Sequence, residues 1–509
     1  MKQTLPLLAA LLLAPLAGLH GADTAKPASR PNILFIAVDD LRPSLGCYGD
    51  TLAKTPHMDA LARSGLRFTR AYCQQAVCGP SRTAMLTGLL PDHTRVWHNR
   101  NLFRDTLPNA VTLPQLFKNN GYHAQSLGKV LSGNNREEEQ DPPSWSVPPL
   151  LRGDGWKNYV LPENQKGGKQ SPTEKADVPD EGYPDGQLAR LAIETLENLK
   201  QKSQPFFLAV GFFKPHLPFN APKKYWDLYD PAVFQPDAKA NRTKGAPDVA
   251  YPDHLELAGY KDIPDDEKVS AEQARELRHG YYACVSYVDA QIGKVLDALK
   301  RLGLEDNTIV VLWGDHGYSL GEADHWCKDT NFDLDTHVPL MIRVPGVTKP
   351  GAATDALLEY VDIYPTLVEL AGLPAPSGLD GASLVPILHD PQRRGREIAL
   401  SQFSRPFKPT APQVMGYSIR TDTHRYTRWV EWPSRKTIVE ELYDYTSDNS
   451  TVRKGAFLVE RENVVQNPAY AEARDRLRTR MDQILSARTA VNATEPKQSS
   501  PPKRKKKKP

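Results

Sequence analysis

Residues 78–88, Cys-Gly-Pro-Ser-Arg-Thr-Ala-Met-Leu-Thr-Gly, put a sulfur, a helix start and a cation within one turn. Pro80 has no backbone N–H to lose and a preset φ, which suits a first helical turn, and Ser81 to Leu86 continue with helix-compatible residues. Cys78 therefore stands at the positive end of a helix, where free N–H groups and the macrodipole favour an anion. Arg82, one turn on, adds a planar donor fork of the kind that grips phosphate or sulfate. The stretch reads as a site for a tetrahedral oxyanion; the plainer alternative is a buried free cysteine capping a core helix. Asp39 with Asp40, Asp315 with His316, and His216 each follow an apolar run. Carboxylates are hard ligands that suit Ca²⁺ or Mg²⁺, whereas an imidazole such as His316 is more at home on zinc or manganese.

The elements that must position these residues are short and apolar. Asn32 to Val38, Pro205 to Gly211 and Thr308 to Trp313 are unbroken apolar runs, as expected of strands buried on both faces. Ligands bind at the carboxyl ends of such strands in open α/β sheets, so the three runs converge on one edge. Gly186 to Lys202 and Ala271 to Leu302 carry apolar residues at helical spacing and supply covering helices. A strand at Val338–Val344 and a helix at Val361–Leu370 follow. Residues 133–184 and 229–268, rich in Pro, Asp, Gly and Lys, read as long surface insertions able to line a pocket mouth. After the Pro/Gly-rich stretch from Gly372 to Asp380 come strands at 415–420, 424–432 and 440–445 and a closing helix at 470–485. The expected organisation is a layered α/β domain over 30–385 and a smaller α+β subdomain with an antiparallel sheet over 386–488.

Five cysteines in 509 residues form no dense disulfide framework, and Cys73 and Cys78 lack the second pair a zinc finger needs. The net charge of +3 conceals an acidic body: the last fourteen residues hold seven Lys or Arg and no acid, leaving −4 for residues 1–495. The basic end, 489–509, reads as a disordered, solvated tail, not a nucleic-acid arm. Residues 1–22, with Lys2 and an apolar run from Leu5 to Leu19, read as a signal peptide too short to anchor. An exported protein, periplasmic or secreted and without a transmembrane anchor, is expected.

The longer pattern, Cys-x-Pro-Ser-Arg followed by Thr-x-x-Leu-Thr-Gly, resembles the sulfatase signature. Asn-Ile-Leu-Phe-Ile-Ala-Val-Asp-Asp-Leu-Arg-Pro at 32–43, Gly128-Lys129-Val130, Lys-Pro-His at 214–216, Asp-His-Gly at 315–317, Thr-His-Val-Pro-Leu at 336–340 and Met-Gly-Tyr-Ser-Ile-Arg at 415–420 extend the resemblance. They are similar to the branch of that family holding iduronate-2-sulfatases and their bacterial relatives. The resemblance implies an alkaline-phosphatase-like fold, a mixed central sheet flanked by helices, and a sulfuric ester hydrolase acting on a sulfated saccharide, uronate-containing or other. Cys78 would be converted by a formylglycine-generating enzyme to formylglycine, whose hydrated aldehyde is the nucleophile. Asp39, Asp40, Cys78, Asp315 and His316 would form the shell of a divalent cation, Ca²⁺ by resemblance, with Mg²⁺ or another ion open. Arg82, Lys129 and Lys328 would surround the sulfate or hold the hydrate, and His216 would protonate the leaving alcohol. Lys129, His216, Tyr318 and Lys328 would touch the substrate.

Two positions depart from that branch. Ser132 stands where close relatives carry a histidine that helps expel sulfate, so another residue takes its part, with His93 and His123 as candidates, turnover slows, or the loop aligns differently. Tyr318 stands where a tryptophan lies beside Asp-His-Gly, near the sugar. Two other readings stay open: a phosphonate or phosphate ester hydrolase of the same superfamily, and a sulfated-glycan binding protein with weakened turnover.

Overall fold

The computed structural model describes residues 30–132, 140–150, 157–235, 241–448, 450–454 and 457–493. The expected signal peptide, most of the basic tail and parts of both expected insertions lie outside them. The main elements are β1 (Asn32–Val38), β2 (Leu66–Tyr72), α1 (Cys78–Thr87), β3 (His123–Gly128), α2 (Pro184–Lys200), β4 (Phe206–Phe212), α3 (Ala271–Arg301), β5 (Thr308–Gly314), β6 (His337–Arg343), β7 (Ala352–Thr354) and α4 (Ile363–Leu370). The C-terminal part adds β8 (Ala399–Arg405), β9 (Val414–Arg420), β10 (His424–Glu431), β11 (Thr437–Asp444) and α5 (Ala471–Ala493).

Strand β1 explains the central sheet. All its residues are buried, and its side chains alternate: Leu34, Ile36 and Val38 enter one core, and Ile33, Phe35 and Ala37 the other. Each buried Leu or Phe stabilises the fold by about 1.5–3 kcal/mol, which an unbroken apolar run collects on both faces. α2 and α3 cover the first core through residues such as Leu188, Tyr281 and Ile292; α1 and α4 cover the second through Met85, Leu86, Ile363 and Leu367. A reciprocal cap between Ser270 and Gln273 starts α3.

The strand order is β7-β2-β6-β5-β1-β4-β3, with Leu358–Glu359 as a short eighth strand against β2. β1 runs parallel to both β4 and β5, so the three expected strands do end at one edge. β6 runs antiparallel to β2 and β5, which makes the sheet mixed. The second sheet is an antiparallel meander, β8-β9-β10-β11, closed by α5 through Leu477, Met481 and Leu485.

Three expectations change. The segment 229–268 is not surface throughout: Leu257 and Tyr260 join the core that α2 and α3 cover, and Tyr251 packs with Phe332, Trp429 and Tyr443 beside the second sheet, because a loop laid over packed elements buries its apolar residues. α5 continues to Ala493 and so takes in the first residues expected of the tail. β8 was not expected at all, and it joins the two sheets: Gln402 N donates to Gln74 O at 2.8 Å and Ser401 Oγ to Cys73 O at 2.6 Å. All five cysteines are free. Among the described residues no helix is long and apolar enough to cross a membrane.

Candidate active site

The carboxyl edge of β1 and its neighbours gathers the chemistry. β1 hands over to Asp39 and Asp40, and Asp40 adopts φ +58°, a left-handed conformation uncommon for a residue with a side chain. Its neighbours hold it there: Asp40 N donates to Asp315 Oδ1 at 3.0 Å, and Tyr281 Oη donates to Asp40 O at 2.8 Å. β5 delivers Asp315 and His316 beside it. The helix carrying Cys78 starts from the extended Val77, and Gly79 N donates to Asn99 Oδ1 at 2.7 Å. Lys129 follows β3, and a Cβ on Gly211 would lie 1.9 Å from the Lys129 carbonyl oxygen, so only glycine at the end of β4 admits that approach.

Asp39, Asp40, Cys78, Arg82, Lys129, His216, Asp315, His316 and Lys328 therefore meet. Cys78 Sγ lies 3.3 Å from His316 Nε2, 3.6 Å from Lys129 Nζ and 4.0 Å from Asp40 Oδ1. Lys129 Nζ reaches Asp39 Oδ2 at 2.5 Å, and Lys328 Nζ spans both oxygens of Asp40 at 2.7 and 2.9 Å. Arg82 departs from the expected oxyanion fork. It is fully buried, and its nitrogens are spent on Asp315 at 2.8 Å, Asp39 at 3.0 Å and the backbone oxygens of Lys129 and Val130. Two carboxylates sealed from water need a buried counter-charge, and Arg82 supplies it.

Burial and then Asp39 push the Cys78 thiol well above its usual range, so it is not a ready thiolate. Burial also pushes Asp39 up, but Lys129 and Arg82 outweigh it and hold the carboxyl well below the usual range. At Lys328 burial works against the charge and Asp40 outweighs it, raising the ammonium well above its usual value. Burial lowers His216 despite Asp40.

The donor set fits a divalent cation. Asp39, Asp40, Cys78 and His216 form one cluster with ligand atoms within 4.8 Å of one another, and Cys78, Asp315 and His316 form a second. His316 Nδ1 donates to Gly317 O at 2.8 Å, which leaves the Nε2 lone pair facing Asp40 Oδ1 at 3.2 Å and Asp315 Oδ1 at 3.6 Å. Three lone-pair donors aimed at one point repel unless a cation lies between them. Oxygen ligands 2.3–2.6 Å from one ion stand about 3.4 Å apart, close to these separations.

Sequence reasoning missed Glu256. Its Oε1 is 3.3 Å from His216 Nε2 and its Oε2 3.1 Å from Lys328 Nζ. It comes from the irregular 229–268 segment, where no periodicity marks a residue out. Tyr318 is fully buried, donates its hydroxyl to Cys327 Sγ at 3.2 Å and stacks on Tyr281, so it stands behind Lys328 instead of facing a sugar. Neither expected substitute for a base at Ser132 is present in the site. His93 pairs with Asp380 at 2.7 Å beyond the far end of α1, and His123 lies at the opposite end of β3 from Lys129.

A mixed α/β sheet that gathers a helix start, paired carboxylates and lysines at one edge defines a hydrolase of oxyanion esters with an alkaline-phosphatase-like fold. The sulfatase family profile matches residues 31–373, and that of the N-sulphoglucosamine sulphohydrolase C-terminal region matches 321–487. The chain is 40% identical to mouse (Mus musculus) iduronate 2-sulfatase over 502 residues, covering 82% of this chain and 89% of that one. It is 30% identical to an ulvan-active sulfatase of Formosa agariphila, covering 90% and 83%. A phosphonate monoester hydrolase from Silicibacter pomeroyi shares the fold, with a TM-score of 0.71 at 23% identity over 90% of this chain and 96% of that one. The chain belongs to the sulfatase family and is a sulfuric ester hydrolase.

Proposed function

We propose that the chain hydrolyses sulfate esters on a uronate-containing saccharide, with Cys78 matured to formylglycine by a formylglycine-generating enzyme and a divalent cation, Ca²⁺ or Mg²⁺, held by Asp39, Asp40, Asp315 and His316. The observation that carries this reading is the charge at the sheet edge. Asp39, Asp40, Asp315 and Glu256 exceed Arg82, Lys129 and Lys328 by one negative charge. A dication reverses that to one positive charge, which rises to two when His216 carries the proton it must donate, so the edge is set to receive the anion of a sulfate ester. The name iduronate 2-sulfatase borne by relatives supports a uronate, and residues 1–22 support export to the periplasm or beyond.

When present, the cation would polarise a sulfuryl oxygen, and formylglycine would supply a hydroxyl nucleophile in place of a thiol that burial keeps protonated. Lys129 and Lys328 would donate to the remaining sulfuryl oxygens, where fixed donors stabilise charge developing in the transition state. His216 Nδ1 donates to Leu217 O at 2.6 Å, so Nε2 is the atom that, once protonated, would present a proton to the departing sugar oxygen. Arg82 keeps Asp39 and Asp315 in place, and Tyr318 supports Lys328 from behind. Ser132 offers no base for expulsion of sulfate, which would make that stage the slow one unless a neighbour substitutes.

Peptide mass spectrometry of Cys78, together with sulfate release from defined sulfated uronate saccharides, tests the reading. Formylglycine at 78 and release from at least one saccharide are expected. Unmodified cysteine throughout a fully active preparation, or release from none of them, would overturn it.

A further inference from the structure

Lys328, which grips Asp40 and Glu256, sits in an irregular bend whose flanks are both left-handed without being glycine: Cys327 at φ 70° and Asp329 at φ 83°. Such a conformation persists only where its surroundings fix it, and here they do. Asp329 N donates to Ala76 O at 3.2 Å, and Asp329 O accepts from Arg405 Nη2 at 2.8 Å. One residue on, Thr330 gives its N–H and its hydroxyl to Asp335 Oδ2 at 3.2 and 2.6 Å. The backbone of the bend is thus pinned on both sides of Asp329.

The Asp329 side chain has no such bond. It is 3% exposed, as deep as Lys328 at 4% and His216 at 5%, yet among the described residues its carboxyl takes no hydrogen bond and no ion pair, and Oδ1 is sealed from solvent. Other buried carboxyls near Arg405 are bonded: Asp335 holds Ser319, His325 and Thr330, and Glu441 holds Trp429 and Tyr443. A buried polar group without a partner costs free energy, so the fold alone does not explain an aspartate kept here in an unfavourable conformation. The charges that reach it show where it faces. Burial, and then Glu256, push the carboxyl well above its usual range, with Lys328 and Arg405 pulling the other way. Glu256 and Lys328 both belong to the catalytic edge. Ala76, which holds the Asp329 N–H, is two residues from Cys78, a span of at most about 7 Å.

A sugar hydroxyl both donates and accepts, so it satisfies such a carboxyl in either protonation state, whereas Glu256 beside it disfavours a further anion there. We propose that Asp329 binds a hydroxyl flanking the sulfate ester on the sugar ring, and thereby selects among the sugars whose ester reaches Cys78. This rests on the saccharide sulfatase reading above. The right sugar pairs a buried group, and one without the hydroxyl leaves that group bare, which is how a polar site rejects a close analogue.

The test uses the full-length protein, methyl uronoside 2-sulfates with and without the flanking 3-hydroxyl, and 4-methylumbelliferyl sulfate as an ester without a sugar. In the wild type, loss of the 3-hydroxyl is expected to raise KM about tenfold, the worth of one hydrogen bond to a buried group. Asp329→Gly keeps the left-handed backbone without strain and removes the carboxyl. In that variant the two uronosides are expected to share one KM, and the melting temperature should not fall, because no bond of the fold is lost. Asp329→Asn, which tolerates the same backbone and still pairs with a hydroxyl, should restore the preference. A wild type indifferent to the hydroxyl, or an Asp329→Gly variant that keeps the full preference, would overturn the assignment and leave water as the partner of the carboxyl. Early melting of Asp329→Gly with equal losses on uronoside and aryl sulfate would overturn it in favour of a structural role. Cleavage of the aryl sulfate with none of either uronoside would overturn the saccharide reading, and the assignment with it.

Discussion

Two buried ionic networks stand at the carboxyl edge of the large sheet, built from the same parts to different ends. Beside the C-terminal sheet, Arg425 spends every nitrogen: Nε on Tyr445 Oη at 2.9 Å, one terminal nitrogen on Ser418 Oγ at 3.2 Å, the other on Asp333 Oδ1 and Thr336 Oγ1, both at 2.9 Å. Asp333 and Glu460 close it, with Asp333 N donating to Glu460 at 2.9 Å. Around Cys78 only Arg82 is closed in this way. The sulfur, His316 Nε2 and the two lysines crowd around Asp39 and Asp40, with ligand atoms close enough together to hold a metal ion. A saturated network holds two sheets together, whereas an unsaturated one is able to bind and react.

The largest test of that contrast is Cys78→Ala. Sulfate release should fall by at least about a thousandfold, as for a lost nucleophile, while the thermal melt stays put. A variant that melted early without losing rate would move Cys78 into the structural class. Next comes Arg425→Met, which strands Asp333 and Glu460. It should cost about 3–5 kcal/mol in urea denaturation yet leave kcat per folded molecule unchanged. Loss of rate without loss of stability would show that the closed network also serves the reaction.

The smallest effect concerns a carboxyl in neither network. Asp289 accepts from His57 N at 3.2 Å and Met58 N at 2.7 Å beneath the helix Pro56–Ser64, and burial pushes it up to about 7. A raised carboxyl favours the folded state while protonated. Its contribution is therefore complete below the unfolded value near 3.8 and is lost as pH climbs to about 7, with an upper limit of about 4 kcal/mol. Denaturation of wild type and Asp289→Asn from pH 4 to pH 8 should show a shallower decline in the variant. Equal slopes would mean that the folded carboxyl stays ionised.

The sequence carried the catalytic edge further than the junction. β1, β4 and β5 are legible because a strand buried on both faces must be apolar at every position. The ligands after them stand at predictable strand ends. β8, Ala-Leu-Ser-Gln-Phe-Ser-Arg, hides because its polar residues are buried against partners from distant segments: Ser401 on Cys73 and Gln402 on Asp92. Periodicity cannot report such partners. Glu256 and Asn99 escaped for the same reason, since each acts from a loop whose position only the folded chain defines. The acceptors around Arg82, Asp39, Asp315 and the carbonyls of Lys129 and Val130, were likewise illegible, because composition cannot count how many acceptors surround a guanidinium.

The bonds from β8 to residues 73 and 74 also set a clock. In the finished fold Cys78 is 2% exposed, in a formed helix, behind a loop pinned by Ser401 and Gln402. Under the proposed conversion of Cys78 to formylglycine, the oxidising enzyme would therefore have to meet the sulfur before that pinning. Those residues are synthesised about 320 positions after Cys78, roughly 16–65 s later at ~5–20 residues per second. On that reading, molecules that close before they are oxidised would stay folded and inert. The fraction of active protein would then be decided by the race between maturation and elongation, and slowing translation between residues 78 and 402 would be a lever on specific activity that touches no catalytic group.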